Sequence, residues 1–167
     1  MRTINFVFII ILVVVPTISY SQSENISLSE LSSFTLKDFD KIEATLKNYS
    51  YNFIGAEKTL FRGIECTNYN FERRNEKLYN LQEDIVLTKY NQGTDKTYKI
   101  SYTSLSEKVF DLYKSEVVEN SSTKFVKEFT QGDAFHRIYK YNLCEYDFIV
   151  MKSQIPDNPL HIVLITF

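Results

Sequence analysis

The sequence predicts an α+β fold made of two tandem units, each a helix followed by four antiparallel strands. Such units can join edge to edge into one curved sheet with both helices on one face. Three observations carry this. Apolar residues recur at three- and four-residue steps in two stretches and at two-residue steps in the rest. The chain holds 13 Phe and 12 Tyr but no Trp, a composition suited to pleated, half-buried surfaces. Finally, "DIVLTKYNQGTDKTYKISY", from Asp84, is echoed 63 positions later by "DFIVMKSQIPDNPLHIVLI", from Asp147.

The first helix is expected over "TLKDFDKIEATLKNY", where Leu36, Phe39, Ile42, Leu46 and Tyr49 form one stripe. Thr35 and Asp38 have the spacing of a capping box with a shortened acid. Strand periodicity follows in Tyr49/Tyr51/Phe53, Leu60/Arg62/Ile64/Cys66, Ile85/Leu87/Lys89 and Tyr98/Ile100/Tyr102. The second helix is expected over "SLSEKVFDLYKSEVV", capped by Ser104 and Glu107, with Leu105, Val109, Leu112, Tyr113 and Val117 inward. Four strands follow again: Phe125/Lys127/Phe129, Phe135/Arg137/Tyr139/Tyr141, Phe148/Val150/Lys152 and "LHIVLITF". Turn signals lie at "NQGTD", "TQGD" and "IPDNP". The last strand is apolar at nearly every position, so it belongs near the centre of the joined sheet.

At 167 residues and a formal net charge of −2, the chain is sized for one domain with a real core. No basic cluster exceeds the pair Arg73-Arg74, so the footprint of a nucleic-acid binder is missing. The N-terminus reads as a secretory signal peptide. Arg2 supplies the charge, the twelve residues Ile4–Val15 the apolar core, and Pro16 the break. Such a run falls short of the about 20 residues needed to cross a membrane. Cleavage after Ser21 is expected, giving residues 1–21 as signal, 22–33 as polar linker, and 34–167 as one domain of two repeats, 34–103 and 104–167. The mature chain is therefore expected to be exported, periplasmic or extracellular. Sequons at Asn25, Asn48 and Asn120 are read as accidental in so Asn- and Ser-rich a chain.

The "SYSQ" junction at Ser19–Gln22 resembles those of small exported proteins of Gram-negative bacteria. The doubled helix-plus-sheet layout is similar to that of the bacterial β-lactamase inhibitory proteins, tandem repeats that bind an enzyme on a concave sheet. The likeness is one of layout, and layout does not fix function.

Catalytic motifs are missing. There is no HExxH, CxxC, G-x-S-x-G or Gly-rich phosphate loop, and two histidines with two distant cysteines make a poor metal site. His161, in the most apolar strand, reads as a hydrogen-bonded core residue, and His136 as a plain surface residue. A Cys–His pair that meets only in space stays open, but the chain is read as non-enzymatic, with no cofactor and no metal. Cys66 and Cys144 are expected to form one disulfide between the halves, against the alternative of two buried thiols acting as small hydrophobes.

Phe135, Arg137, Tyr139 and Tyr141 share one strand face, echoed by Arg62 in the first half. The plainer reading has this face covering the helices, with the arginines reaching its rim. The functional reading is a Tyr/Arg surface for an unknown protein partner. The chain is thus read as a protein-binding or envelope-associated module, with a carrier of a small apolar ligand, cradled between sheet and helices, as the alternative.

Overall fold

A computed structural model describes residues 25–75, 81–91, 98–152 and 159–167. The expected signal peptide and the turns at Gly93 and Pro156 lie outside the described residues. The chain order is α1 (Leu28–Ser33), a 3-10 turn (Phe34–Leu36), α2 (Phe39–Asn48), β1 (Asn52–Phe61), β2 (Ile64–Asn75), β3 (Leu81–Tyr90) and β4 (Tyr98–Ser104). Then come α3 (Glu107–Val118), β5 (Lys124–Gln131), β6 (Ala134–Tyr141), β7 (Cys144–Met151) and β8 (Leu160–Thr166). All eight strands form a single antiparallel sheet in the order β1-β2-β3-β4-β8-β7-β6-β5.

The seam between β4 and β8 lies at the middle of the sheet, pairing Ile100 with Ile165 and Tyr102 with Val163. Both strands bury alternate residues, as period-two side chains must when one face meets a core. Three hairpins close in two residues, and each turn opens with a residue at positive φ: Arg62, Gly132 and Asn142. Such turns match the right-handed twist of the strands they join. Arg62 therefore sits in a turn and not, as expected, within a strand. Arginine is an unusual choice at positive φ, and the alternation of Leu60 and Ile64 around it conceals the reversal.

Helix boundaries also differ from expectation. Ser106, not Ser104, caps α3, its hydroxyl accepting from Val109 N at 3.4 Å. Ser104 is the last residue of β4, and its hydroxyl accepts from Ser106 N. α2 begins after Asp38, and the Thr35 hydroxyl donates to Ser32 O within the preceding turn. The inward stripe differs as well. Phe110 is buried and Leu112 exposed, while Leu36 falls outside the helix and is exposed.

The stretch expected as a linker contributes to the core from Ile26 on. Ile26, Leu28, Leu31 and Phe34 are buried among Ile42, Leu46, Val109, Tyr113 and alternate residues of the strands, including Ile85, Leu87, Phe148 and Val163. The Tyr113 hydroxyl donates to Ile26 O, fastening this segment to α3. A buried ion pair, Arg73 with Glu83, lies in the same region.

Cys66 and Cys144 are free thiols, which corrects the expected disulfide. The sheet order explains why. Cys66 is on β2 and Cys144 on β7, with β3, β4 and β8 between them. Four strand spacings of about 4.8 Å separate them by roughly 19 Å, while a disulfide needs Cα atoms about 5.5 Å apart.

Candidate functional site

β1 and β5 are the outer strands, and both leave most of their residues exposed. On β5 and its neighbour β6, the pairing sets Phe125 against Tyr139, Glu128 against Arg137 and Thr130 against Phe135. A bulge at Val126 offsets the strand. Phe125 is 56% exposed and Phe135 39%, both large apolar surfaces on an open edge. Arg137 lies 5.5 Å from the Phe135 ring centroid and is held by Glu128 through bonds of 3.1 and 2.9 Å. That bond holds the guanidinium's proton affinity above its already high ordinary value.

The expected surface thus divides. Phe135 and Arg137 are brought together at the edge. Tyr139 is buried against Phe125 and Phe148, and Tyr141 packs against the core with its hydroxyl accepting from Asn120. The plainer reading therefore describes the tyrosines. Arg62 stays apart, five strand spacings or roughly 24 Å away, stacked on its neighbour Phe61. Phe125 and Glu128 complete the edge cluster. Their sequence signal was the alternation of "KFVKEFTQ", which fixed a strand but not that it was outermost.

His136, expected as a plain surface residue, bonds Asp147 through Nδ1 at 2.9 Å and stacks on Phe129 at 4.6 Å. No serine, threonine or cysteine bonds this imidazole among the described residues. Nor is there a cluster of three metal-ligating side chains among them. His161 is buried as expected and packs on Phe110 at 4.8 Å, but its Nδ1 has no hydrogen-bond partner among the described residues. Burial pushes its pKa down, with Glu107 and Asp111 of α3 opposing.

A groove of about 480 Å³ opens between the α1–3-10 segment and the β6–β7 turn. Leu28 and Tyr141 line it, and Leu36, Leu143 and Phe167, each more than half exposed, stand at its rim. Its polar surface includes Ser32, Thr35, Cys144 and Tyr146. Burial pushes the Tyr146 phenol up to about 12 and also raises the Cys144 thiol. A thiol held protonated is a poor nucleophile.

Comparison with protein families, with curated proteins and with solved structures finds no match to this chain. No helix among the described residues is long and apolar enough to cross a membrane.

Proposed function

We propose that the chain is an exported, non-enzymatic module that binds a protein partner along the β5–β6 edge of its sheet. The observation that carries this is the set of exposed Phe125 on the outer strand β5 and exposed Phe135 with half-buried Arg137 on its neighbour β6. Arginine and aromatic side chains dominate binding hot spots, and Arg137 is already oriented by Glu128, so little side-chain freedom is lost on docking. An outer strand also offers unpaired backbone groups to a partner. Export rests on the charged and apolar pattern of the first 21 residues.

The same reading includes internal duplication, with the helices gathered on one face. Supporting it, α2 and α3 are each followed by four strands, and the two sets meet at β4 and β8 in mirrored order. A bulge recurs near the start of each first strand, at Phe53/Gly55 and at Phe125/Lys127. The offset between equivalent residues falls from 70 at the first hairpin turn (Phe61, Gln131) to 63 at the seam (Ser101, Leu164), because the hairpin of β2 and β3 is longer than that of β6 and β7. The likeness in layout to β-lactamase inhibitory proteins is of a piece with a binding role.

The test is capture from periplasmic and secreted fractions with the mature chain and with Phe135→Ser/Arg137→Glu. A protein retained by the first and lost by the second supports the edge as the binding surface. A protein retained equally by both defeats it. A second reading, a carrier of a small ligand, is favoured by the groove beside α1, whose volume lies within the range of small-molecule sites.

A further inference from the structure

The groove has a chemical polarity that an apolar cradle does not require. Three of its hydroxyls have spent their protons: Ser32 donates to Leu28 O at 2.7 Å, Ser33 to Glu30 O at 2.6 Å and Thr35 to Ser32 O at 2.8 Å. With the Ser32 proton committed, the Tyr146 hydroxyl is the donor in its 2.9 Å bond to Ser32 Oγ. The three hydroxyls still offer lone pairs. Tyr141, which accepts from Asn120 Nδ2, keeps a proton to give, and Ser29, Asn142 and the Cys144 thiol add donors of their own. The charged side chain on the groove is a carboxylate, Glu116 of α3, and among the described lining residues there is no lysine, arginine or histidine. An adjoining hollow of about 220 Å³ carries Lys140 and Glu145, whose charges offset each other at 3.7 Å.

We infer that the groove binds a small amphiphile with a cationic amine head, its apolar body lying between Leu36, Leu143 and Phe167. The inference rests on the carrier reading and narrows it to one ligand class. An ammonium brings three donors and a positive charge, which match the Glu116 carboxylate and the lone pairs left on Ser32 and Ser33. An anionic head would meet the Glu116 charge with no lysine, arginine or histidine among the described lining residues to offset it. Partial desolvation pushes the Glu116 carboxyl up, although the residue as a whole is exposed, and a bound cation would oppose that shift.

The experiment titrates the mature chain at pH 8 with octylamine, octanol and octanoate, which share one apolar body and differ in head, followed by calorimetry. Octylamine should bind about tenfold or more tighter than octanol, as one charge-assisted hydrogen bond would give, and octanoate should be weakest. Glu116→Gln, on the helix surface, should bring octylamine down to the affinity of octanol and leave octanol unchanged. Leu143→Lys, in the exposed turn, should weaken octylamine and not octanoate. Equal binding of the three probes would overturn the amine head and leave the carrier reading standing. Binding of none would overturn both. Amine binding unmoved by either substitution would place it elsewhere and overturn the assignment.

Discussion

Arg73 and Glu83 face each other across the β2–β3 pair, and both side chains are about nine-tenths removed from water. Glu83 Oε2 accepts from Arg73 Nε at 3.0 Å, from Arg73 Nη2, and from the Tyr51 hydroxyl at 2.9 Å. Arg73 also donates to Asn25 Oδ1 at 3.0 Å and to Tyr49 O at 3.5 Å, and its guanidinium lies 4.9 Å from the Tyr51 ring centroid. The pair therefore ties the Asn25 segment and the entry to β1 to the middle of the first half of the sheet. Burial, with Tyr102 and Glu83 nearby, pushes the Tyr51 phenol well above its ordinary range.

Removing one partner should cost more than removing both. Arg73→Met leaves a carboxylate buried with one tyrosine, and Glu83→Leu leaves a guanidinium with neutral acceptors. Each is expected to destabilise by about 3–5 kcal/mol, the usual cost of an uncompensated buried charge. The double variant should cost less than either single change. Denaturant unfolding of the three variants measures this, and additive losses would show that the pair is not coupled.

His161 should make stability depend on pH. Its folded pKa lies below the unfolded value because burial disfavours the imidazolium, so the unfolded chain binds the proton more readily. The contribution is constant above the unfolded pKa of about 6.5 and turns against folding as the pH falls through that value, until the folded pKa is reached. His161→Phe keeps an aromatic ring against Phe110 and removes the titration. Between pH 7.5 and 5, the wild type should lose stability relative to this variant. Parallel curves would show that the imidazole is not held neutral by the fold.

The sequence was legible where periodicity alone decides. The alternation of Ile85/Leu87 marked a strand and its buried phase, and the apolar run from Leu160 placed β8 inside the sheet, though β8 buries only alternate residues. It was silent where strand order or helix phase decides. The distance between Cys66 and Cys144 depends on how many strands lie between them. α3 starts two residues later than expected and buries Phe110 where Leu112 was expected, and Leu36 precedes α2 altogether. The groove joins residues 28–36 to 141–146, segments that only the closed sheet brings together. The polar appearance of residues 22–33 hid Ile26, Leu28 and Leu31, because a short helix buries one side and leaves its serines outside.

The thiols should count as two. Unfolded without reductant, the protein should react with two equivalents of a thiol reagent, and in the native state both should be protected relative to a free thiol. Cys66 is buried with its thiol 3.5 Å from Ile64 O, and burial raises the Cys144 thiol. Cys66→Ala removes a small buried group and closes no loop, so its cost should be that of a minor cavity, about 1 kcal/mol. A covalently linked peptide pair in the non-reduced digest of the monomer would contradict the strand order.

The two halves should respond alike to equivalent losses. Ile85 and Leu87 are fully buried on β3, and Phe148 is buried on β7 with Val150 packed beside the core. Phe148 meets Phe110 edge-on at 5.6 Å and Tyr139 at 6.1 Å. Its contact with α3 therefore runs through Phe110 and not through the exposed Leu112. Leu87→Ala and Phe148→Ala each empty space that neighbours on a sheet cannot collapse to fill, so each should cost about 2–5 kcal/mol. Lys89→Ala and Lys152→Ala, near the strand ends where the ammonium reaches water, should stay within about 0.5 kcal/mol of the wild type. Denaturation midpoints for the four variants give the comparison. A large loss at Leu87 with a small one at Phe148 would mean that the halves bury their third strands differently, and duplication would lose its energetic counterpart. Matched losses, with both lysines near neutral, would show one packing scheme used twice across the β4–β8 seam.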